Sequence, residues 1–318
     1  MSHELQNEND MFYVGETPWH RLGTRLIEPP TTEEALKLAN MDWTVDMRPL
    51  FNEHGDQSTH REIFRMDTNT TLGVVGPAYH PLQNTKAFGW FDPLIQDGTL
   101  KYETAGVLSG GKKVWILAKV AGDPIEIVKN DAIERYVLLA HAHDGTLAIR
   151  IGFTPIRVVC QNTLQASMES TGSKLIRVRH TANADTVLDK IRDTMVMADG
   201  IFRTTAEQYQ FLTKIQVTEK DVRKYVETVF DLKNEEDRKR DSKLLENVVT
   251  LFTDGKGQDI PGVRGTLWAA YNAVTEQITH HSGRSDEGRL NSQWFGPNAA
   301  RNKMALDYAI EIANKKAA

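Results

Sequence analysis

One stretch, Tyr136 to Gln165 (YVLLAHAHDGTLAIRIGFTPIRVVCQNTLQ), constrains the fold more than any other. Its apolar runs read as two strands joined at Asp144-Gly145, a third strand after Thr154-Pro155, and a polar Cys160-Gln161-Asn162 step into a helix. A run this apolar belongs to a buried sheet. Its few polar residues, among them His141, His143, Arg150, Arg157, Cys160, Gln161 and Asn162, therefore need partners or a ligand.

The flanking sequence supplies more strands. TLGVVG, the YETAGVL and KKVWILAKV runs around Ser109-Gly110-Gly111, PIEIV and KLIRVRH all have strand length and pattern. WTVDMRPLF and EIFRMDT form an earlier strand pair, and Thr31 with Glu34 makes a capping box ahead of EEALKLAN. Asn84 reads as the cap of a helix that Pro93 shortens. The lead MFYVGETPWHRLGTRLIEPP shows neither period and reads as an ordered arm whose Phe12, Tyr13 and Trp19 plug the core.

From Asn183 onward the apolar period is helical. Val187, Leu188, Ile191 and Met195 mark one helix, and Thr218 with Asp221 makes a second capping box before Val222, Tyr225, Val226, Val229 and Phe230. NEEDRKRDSK opens a helix carrying Leu244, Leu245, Val248, Val249 and Phe252. Leu267, Trp268, Tyr271, Val274 and Ile278 mark the next, and Met304, Tyr308 and Ile312 the last. Sheet first and helices second predicts an α+β fold. Its parts are an N-terminal arm, short helix and strand pair (1–70), a central, mostly antiparallel sheet core (71–182) and a helical C-terminal region (183–318).

Composition narrows the function. The single cysteine, Cys160, excludes an intramolecular disulfide and paired-cysteine zinc sites, and fits a reducing cytoplasm. No run approaches the roughly 20 apolar residues of a membrane span, and the polar start is unlike a secretory signal, so a cytoplasmic protein without a membrane partner is expected. Net charge is −5, unevenly placed: residues 1–70 hold 13 acidic against 6 basic side chains, residues 101–180 hold 11 basic against 7 acidic. The predicted sheet is the cationic part of an acidic chain.

Three chemistries compete for these residues. His141 and His143, two apart on a strand, point the same way and can share a metal ion if further ligands arrive from elsewhere; hydrogen-bonded strand histidines are the plainer reading, and the turn accounts for Asp144. Cys160 at a helix start can be an activated thiol beside His80, His141 or His180, but the glycines of a nucleophile elbow are missing. Neither GxxxxGK[ST] nor GxGxxG occurs, so no nucleotide cofactor is expected. The third chemistry is phosphate binding. Lys112 and Lys113 follow a Gly-Gly turn, Arg150 and Arg157 lie on adjacent predicted strands, and Lys174, Arg177, Arg179 and His180 come just downstream, with Tyr102, Trp115 and Phe153 available to stack on bases. Against it, the two arginines can pair with acids such as Glu103, and strand aromatics usually belong to a core.

MFYVGETPWHRLGT, GVVGPAYHPLQNTKAF, YETAGVLSGGKKVWILA, HAHDGTLAIRIGFTPIRVVCQNTL and RVRHTAN, in that order, resemble the phage/plasmid-like proteins of prophages, conjugative plasmids and phage genomes. The likeness spans nearly the whole chain. That family is a domain of unknown function, so the resemblance implies a mobile-element setting and no reaction. A looser likeness, carried by no short motif, is to the single-strand annealing proteins of phage recombination.

The expectation is a single-stranded DNA-binding or annealing protein acting as a homo-oligomer, with no catalytic residue, metal or cofactor. Lys112, Lys113, Trp115, Arg150, Arg157, Lys174, Arg177, Arg179 and His180 would contact nucleic acid, beside a polar core cluster of His141, His143, Cys160, Gln161 and Asn162. The alternatives are a metal- or thiol-dependent enzyme using His141, His143 and Cys160, and a protein that binds a host factor.

Overall fold

The computed structural model describes residues 10–15, 23–159, 176–184, 198–283 and 285–318. The fold is α+β, with strands in the N-terminal and central part and most helices in the C-terminal half. The chain divides into two compact units, one of residues 1–121, 136–153 and 174–198, the other of residues 122–135, 154–173 and 199–318. Among the described residues no helix is long and apolar enough to cross a membrane.

The first unit opens with β1 (Met11–Val14) and β2 (Thr24–Leu26), then α1 (Thr32–Leu38). The segment read as an arm is therefore partly strand: β1 pairs antiparallel with β6 (Leu100–Leu108) and parallel with β2. A four-residue strand is too short to show a period, and only its distant partner reveals it. Met11 and Phe12 are fully buried, whereas Trp19 lies outside the described residues. The predicted Thr31–Glu34 capping box starts α1, Thr31 N–H donating to the Glu34 carboxylate at 2.8 Å.

β3 (Val45–Phe51), β4 (Gln57–Arg65) and β5 (Thr70–Val75) form a three-stranded antiparallel sheet of their own. It meets the long sheet at the turn after β9 (Asp131–Ala142). A Cβ on Gly73 would sit 2.6 Å from Asp144 Cα, and one on Gly145, at φ +78°, 3.0 Å from Val75 Cγ1. Asp144 also closes the turn, its Oδ1 accepting from Thr146 N–H at 2.9 Å. Gly73→Ala therefore has no room, because the obstacle is backbone; a loss of about 1–3 kcal/mol is expected in urea unfolding.

Pro93 divides the helix expected after Asn84 into α2 (Asn84–Gly89) and α3 (Asp92–Gln96). The N-cap is Gln83, not Asn84, whose side chain turns inward. The β6–β7 hairpin (β7, Lys113–Val120) forms as predicted around Ser109–Gly111. β10 runs unbroken from Ile149 to Arg157, so the separate third strand after Thr154-Pro155 does not exist. Proline suits extended φ and lacks only one donor, which a strand tolerates where no ladder bond is needed. With β11 (Ile176–Val178), the order of the long sheet is β11-β10-β9-β7-β6-β1-β2.

In the second unit, β8 (Ile125–Val128) pairs with the start of β9. The helices are α4 (Ala198–Thr213), α5 (Glu219–Val229), α6 (Glu235–Arg240), α7 (Ser242–Asp254), α8 (Leu267–Glu276), α9 (Asp286–Phe295) and α10 (Pro297–Ala317), with a π turn at Gln277–His281. The Thr218–Asp221 capping box opens α5, and Tyr225 donates to the Ala305 carbonyl at 2.7 Å, tying α5 to α10. Every residue of α8 is buried, including Asn272, Thr275 and Glu276, so the stripe read from its sequence was one side of an enclosed helix. Met304 is exposed, and Ala305, Leu306 and Ala309 face inward instead.

Candidate functional site

β9 runs from Asp131 through apolar residues to His141 and on to His143, which alternate onto one face as period two requires. Both rings are fully buried, 4.8 Å apart between centroids, and His180 brings a third ring 5.6 Å from His141. Tyr79, in the loop after β5, stacks on His180 at 4.7 Å and donates to the Ala142 carbonyl at 2.9 Å. Trp43 lies 5.2 Å from His143, whose Nε2 is 3.0 Å from Asn84 Oδ1. Asn84 is held in turn by the carbonyl of Met41 at 3.1 Å.

This cluster is uncharged. Burial depresses His143 to about 3 and His180 to about 4, the His180 imidazole and the Arg65 guanidinium acting the same way on His143, and the backbone of Leu147 and His80 opposing it for His180. His141 is pushed well below the ordinary histidine range by burial and by the other two rings, and neither of its ring nitrogens has a hydrogen-bond partner. Among the described residues no three His, Cys, Asp or Glu side chains are placed to hold a metal ion. The rings thus form a packed, neutral floor beneath the sheet.

The other face of the same strands is cationic. Arg150 on β10 stands directly opposite Arg177 on β11, with Ile149↔Val178 and Ile151↔Ile176 as the flanking pairs. Like charges directly opposite in an antiparallel pair repel, and burial with the Arg177 charge lowers the Arg150 guanidinium. Arg150 Nε is buried without an acceptor, and among the described residues no carboxylate pairs with Arg150, Arg177 or Arg179. Arg177 and Arg179 are exposed, as is Lys112, while Lys113 is half-buried. Antiparallel pairing brings the start of β7, the end of β9, the start of β10 and the end of β11 to one end of the sheet, so Lys112, Lys113, Arg150, Arg177 and Arg179 gather there.

Three residues expected at this interface, Arg157, Trp115 and His180, belong elsewhere. Arg157 is fully buried in the second unit, where its Nε and Nη2 each donate to Asp131 at 2.7 Å. Trp268 Nε1 donates to the same carboxylate at 2.8 Å, the Gly257 carbonyl accepts from Arg157 at 3.2 Å, and the guanidinium lies 5.6 Å from the Trp268 ring. Its acid is thus Asp131, not Glu103, and full burial keeps the guanidinium from a phosphate in solution. Trp115 is fully buried, as is Tyr102, whose hydroxyl lies 3.1 Å from Thr32 Oγ1; neither can stack on a base. His180 is buried and serves the histidine floor. Cys160, Gln161, Asn162 and Lys174 lie outside the described residues.

Sequence reasoning missed Tyr79, Asn84 and Trp43 as partners of the histidines, and Asp131 and Trp268 as partners of Arg157.

A family model described as a domain of unknown function (DUF932) matches residues 71–304. The chain belongs to this family. The DUF932 match takes in β6 to β11, β5 from its second residue, and all the gathered cationic residues, and leaves Trp43 and Arg65 outside it. No curated protein and no solved structure matches the chain.

Proposed function

We propose that this DUF932 protein binds single-stranded DNA, as a phage- or plasmid-encoded annealing protein that acts as an oligomer and performs no catalytic chemistry of its own. The observation that carries this reading is the cross-strand Arg150/Arg177 pair. Two guanidinium groups held opposite each other, one with a buried donor lacking an acceptor, are stabilised when an anion lies between them. Phosphate suits that geometry, because a guanidinium fork matches its oxygens. Arg179, Lys112 and Lys113 at the same end of the sheet extend the charge over more than one phosphate, in a chain whose net charge is −5. A local cationic site on an acidic protein favours a specific polyanion over indiscriminate adsorption.

Titration of labelled oligothymidylate at two salt concentrations tests this. Affinity is expected to fall with salt, the slope diminishing by about 0.7 for each phosphate contact removed. Arg150→Ala and Arg177→Ala should each weaken binding roughly tenfold, the scale of a charge-assisted hydrogen bond. Arg157→Met, measured where the variant is folded, should leave the affinity unchanged. Absence of binding at low salt, or an unaltered affinity in the Arg150→Ala, Arg177→Ala double variant, rules the reading out.

A further inference from the structure

β11 is a strand of three residues with two unlike faces. Arg177 and Arg179 are exposed, while Val178 and His180, alternating with them, are buried. Three residue pairs to β10 are a short ladder, and three-residue strands hold weakly without further contacts. Those contacts come from His180. Its carbonyl accepts from His80 N–H at 2.9 Å, its ring stacks on Tyr79, and the His141 ring lies 5.6 Å from it. The repulsion between Arg150 and Arg177 on the outer face is thus opposed by packing on the inner one.

We infer that His180 is a positioning residue for the Arg150/Arg177 anion site, and that the site is assembled only while the three-histidine floor beneath β11 is uncharged. This rests on the anion-binding reading above. The groups that face His180 explain why charge is excluded. β9 presents His141 and, behind it, His143, with Arg65 adding a positive charge near the latter. The loop after β5 presents Tyr79 and His80, and the β9–β10 turn presents the Leu147 backbone. Asp144 is near Tyr79, and its Oδ1 is already occupied by the Thr146 N–H and hydroxyl. A protonated His180 has no carboxylate partner among these groups and is stabilised by moving into water. Because Arg177 lies only three residues before His180, on a strand held to β10 by three residue pairs, it leaves its place opposite Arg150 when His180 does.

Hydrogen exchange of the β10 and β11 amides and oligothymidylate affinity, both measured from about pH 7.5 to about pH 5 at fixed salt, test the inference. With His180 at about 4 when docked and about 6.5 when released, the docked-to-released ratio should fall about 30-fold over that range. Protection of the β11 amides, corrected for intrinsic rate, should fall accordingly in the wild type, while the β6–β7 amides keep theirs. Generic electrostatics tightens DNA binding as carboxylates protonate. The wild type should depart from that rise and weaken, whereas His180→Gln and His180→Phe should follow it, whatever their affinity at neutral pH. Wild-type and variant profiles that coincide overturn the inference and leave the anion site standing. A wild type that does not bind oligothymidylate at neutral pH and low salt instead removes the site on which the inference rests.

Discussion

Acidification from about pH 7 to about pH 5 is expected to destabilise the protein by about 4 kcal/mol through His143 and His180 alone, with His141 adding in the same direction. Each imidazole is neutral in both the folded and unfolded states above the ordinary value of 6.5. Below it, the unfolded chain takes up protons that the folded chain, with His143 at about 3 and His180 at about 4, refuses. Stability is therefore lost as pH falls from 6.5 towards those values, at about 1.4 kcal/mol per unit for each ring. Urea midpoints measured at a series of pH values give the slope directly. His141→Phe, which removes a buried ring without hydrogen-bond partners, should flatten the acid limb without lowering stability at neutral pH. A flat profile between about pH 7 and about pH 5 would mean that the rings are hydrated and not packed.

Removing Asp131 is expected to be the most damaging single substitution in the second unit. Asp131→Ala removes the carboxylate that pairs with the fully buried Arg157, and deprives Trp268 Nε1 of its acceptor. Breaking a buried pair in this way costs about 3–5 kcal/mol. Replacing both partners, as in Asp131→Leu with Arg157→Met, should recover much of the loss, since the pair's mutual attraction largely offsets its desolvation. A double-mutant cycle on thermal unfolding measures the coupling, and a coupling below about 1 kcal/mol would show that the pair is solvated. DNA binding should be indifferent to the double replacement, which separates the structural arginine from those proposed to touch phosphate.

Arg150 and Arg157 illustrate what the sequence shows and what it hides. Both stand in one apolar run, seven residues apart, and their chemistry is identical on paper. Odd and even positions of a strand face opposite ways, so the two were bound to differ in surroundings, but the identity of those surroundings depends on residues far away. Asp131 neutralises one and Trp268 packs beside it, across 26 and more than 100 positions of chain. A second arginine faces the other. The same holds for His141 and His143, whose burial was legible from the apolar run, while their contacts with Trp43, Tyr79, Asn84 and His180 were not.

The sequence by itself determined the α+β class, both threonine capping boxes, the β6–β7 hairpin, the turn at Asp144-Gly145 and the break at Pro93, because each is set by residues within one turn or one strand of each other. It determined too that the basic side chains of an acidic chain collect around the central strands. Only the tertiary structure decided that Met11–Val14 is a strand, that β10 continues through Pro155, and which cations reach water. Those outcomes turn on pairing and burial between distant segments, where a side chain's free energy depends on its neighbour and not on its own type.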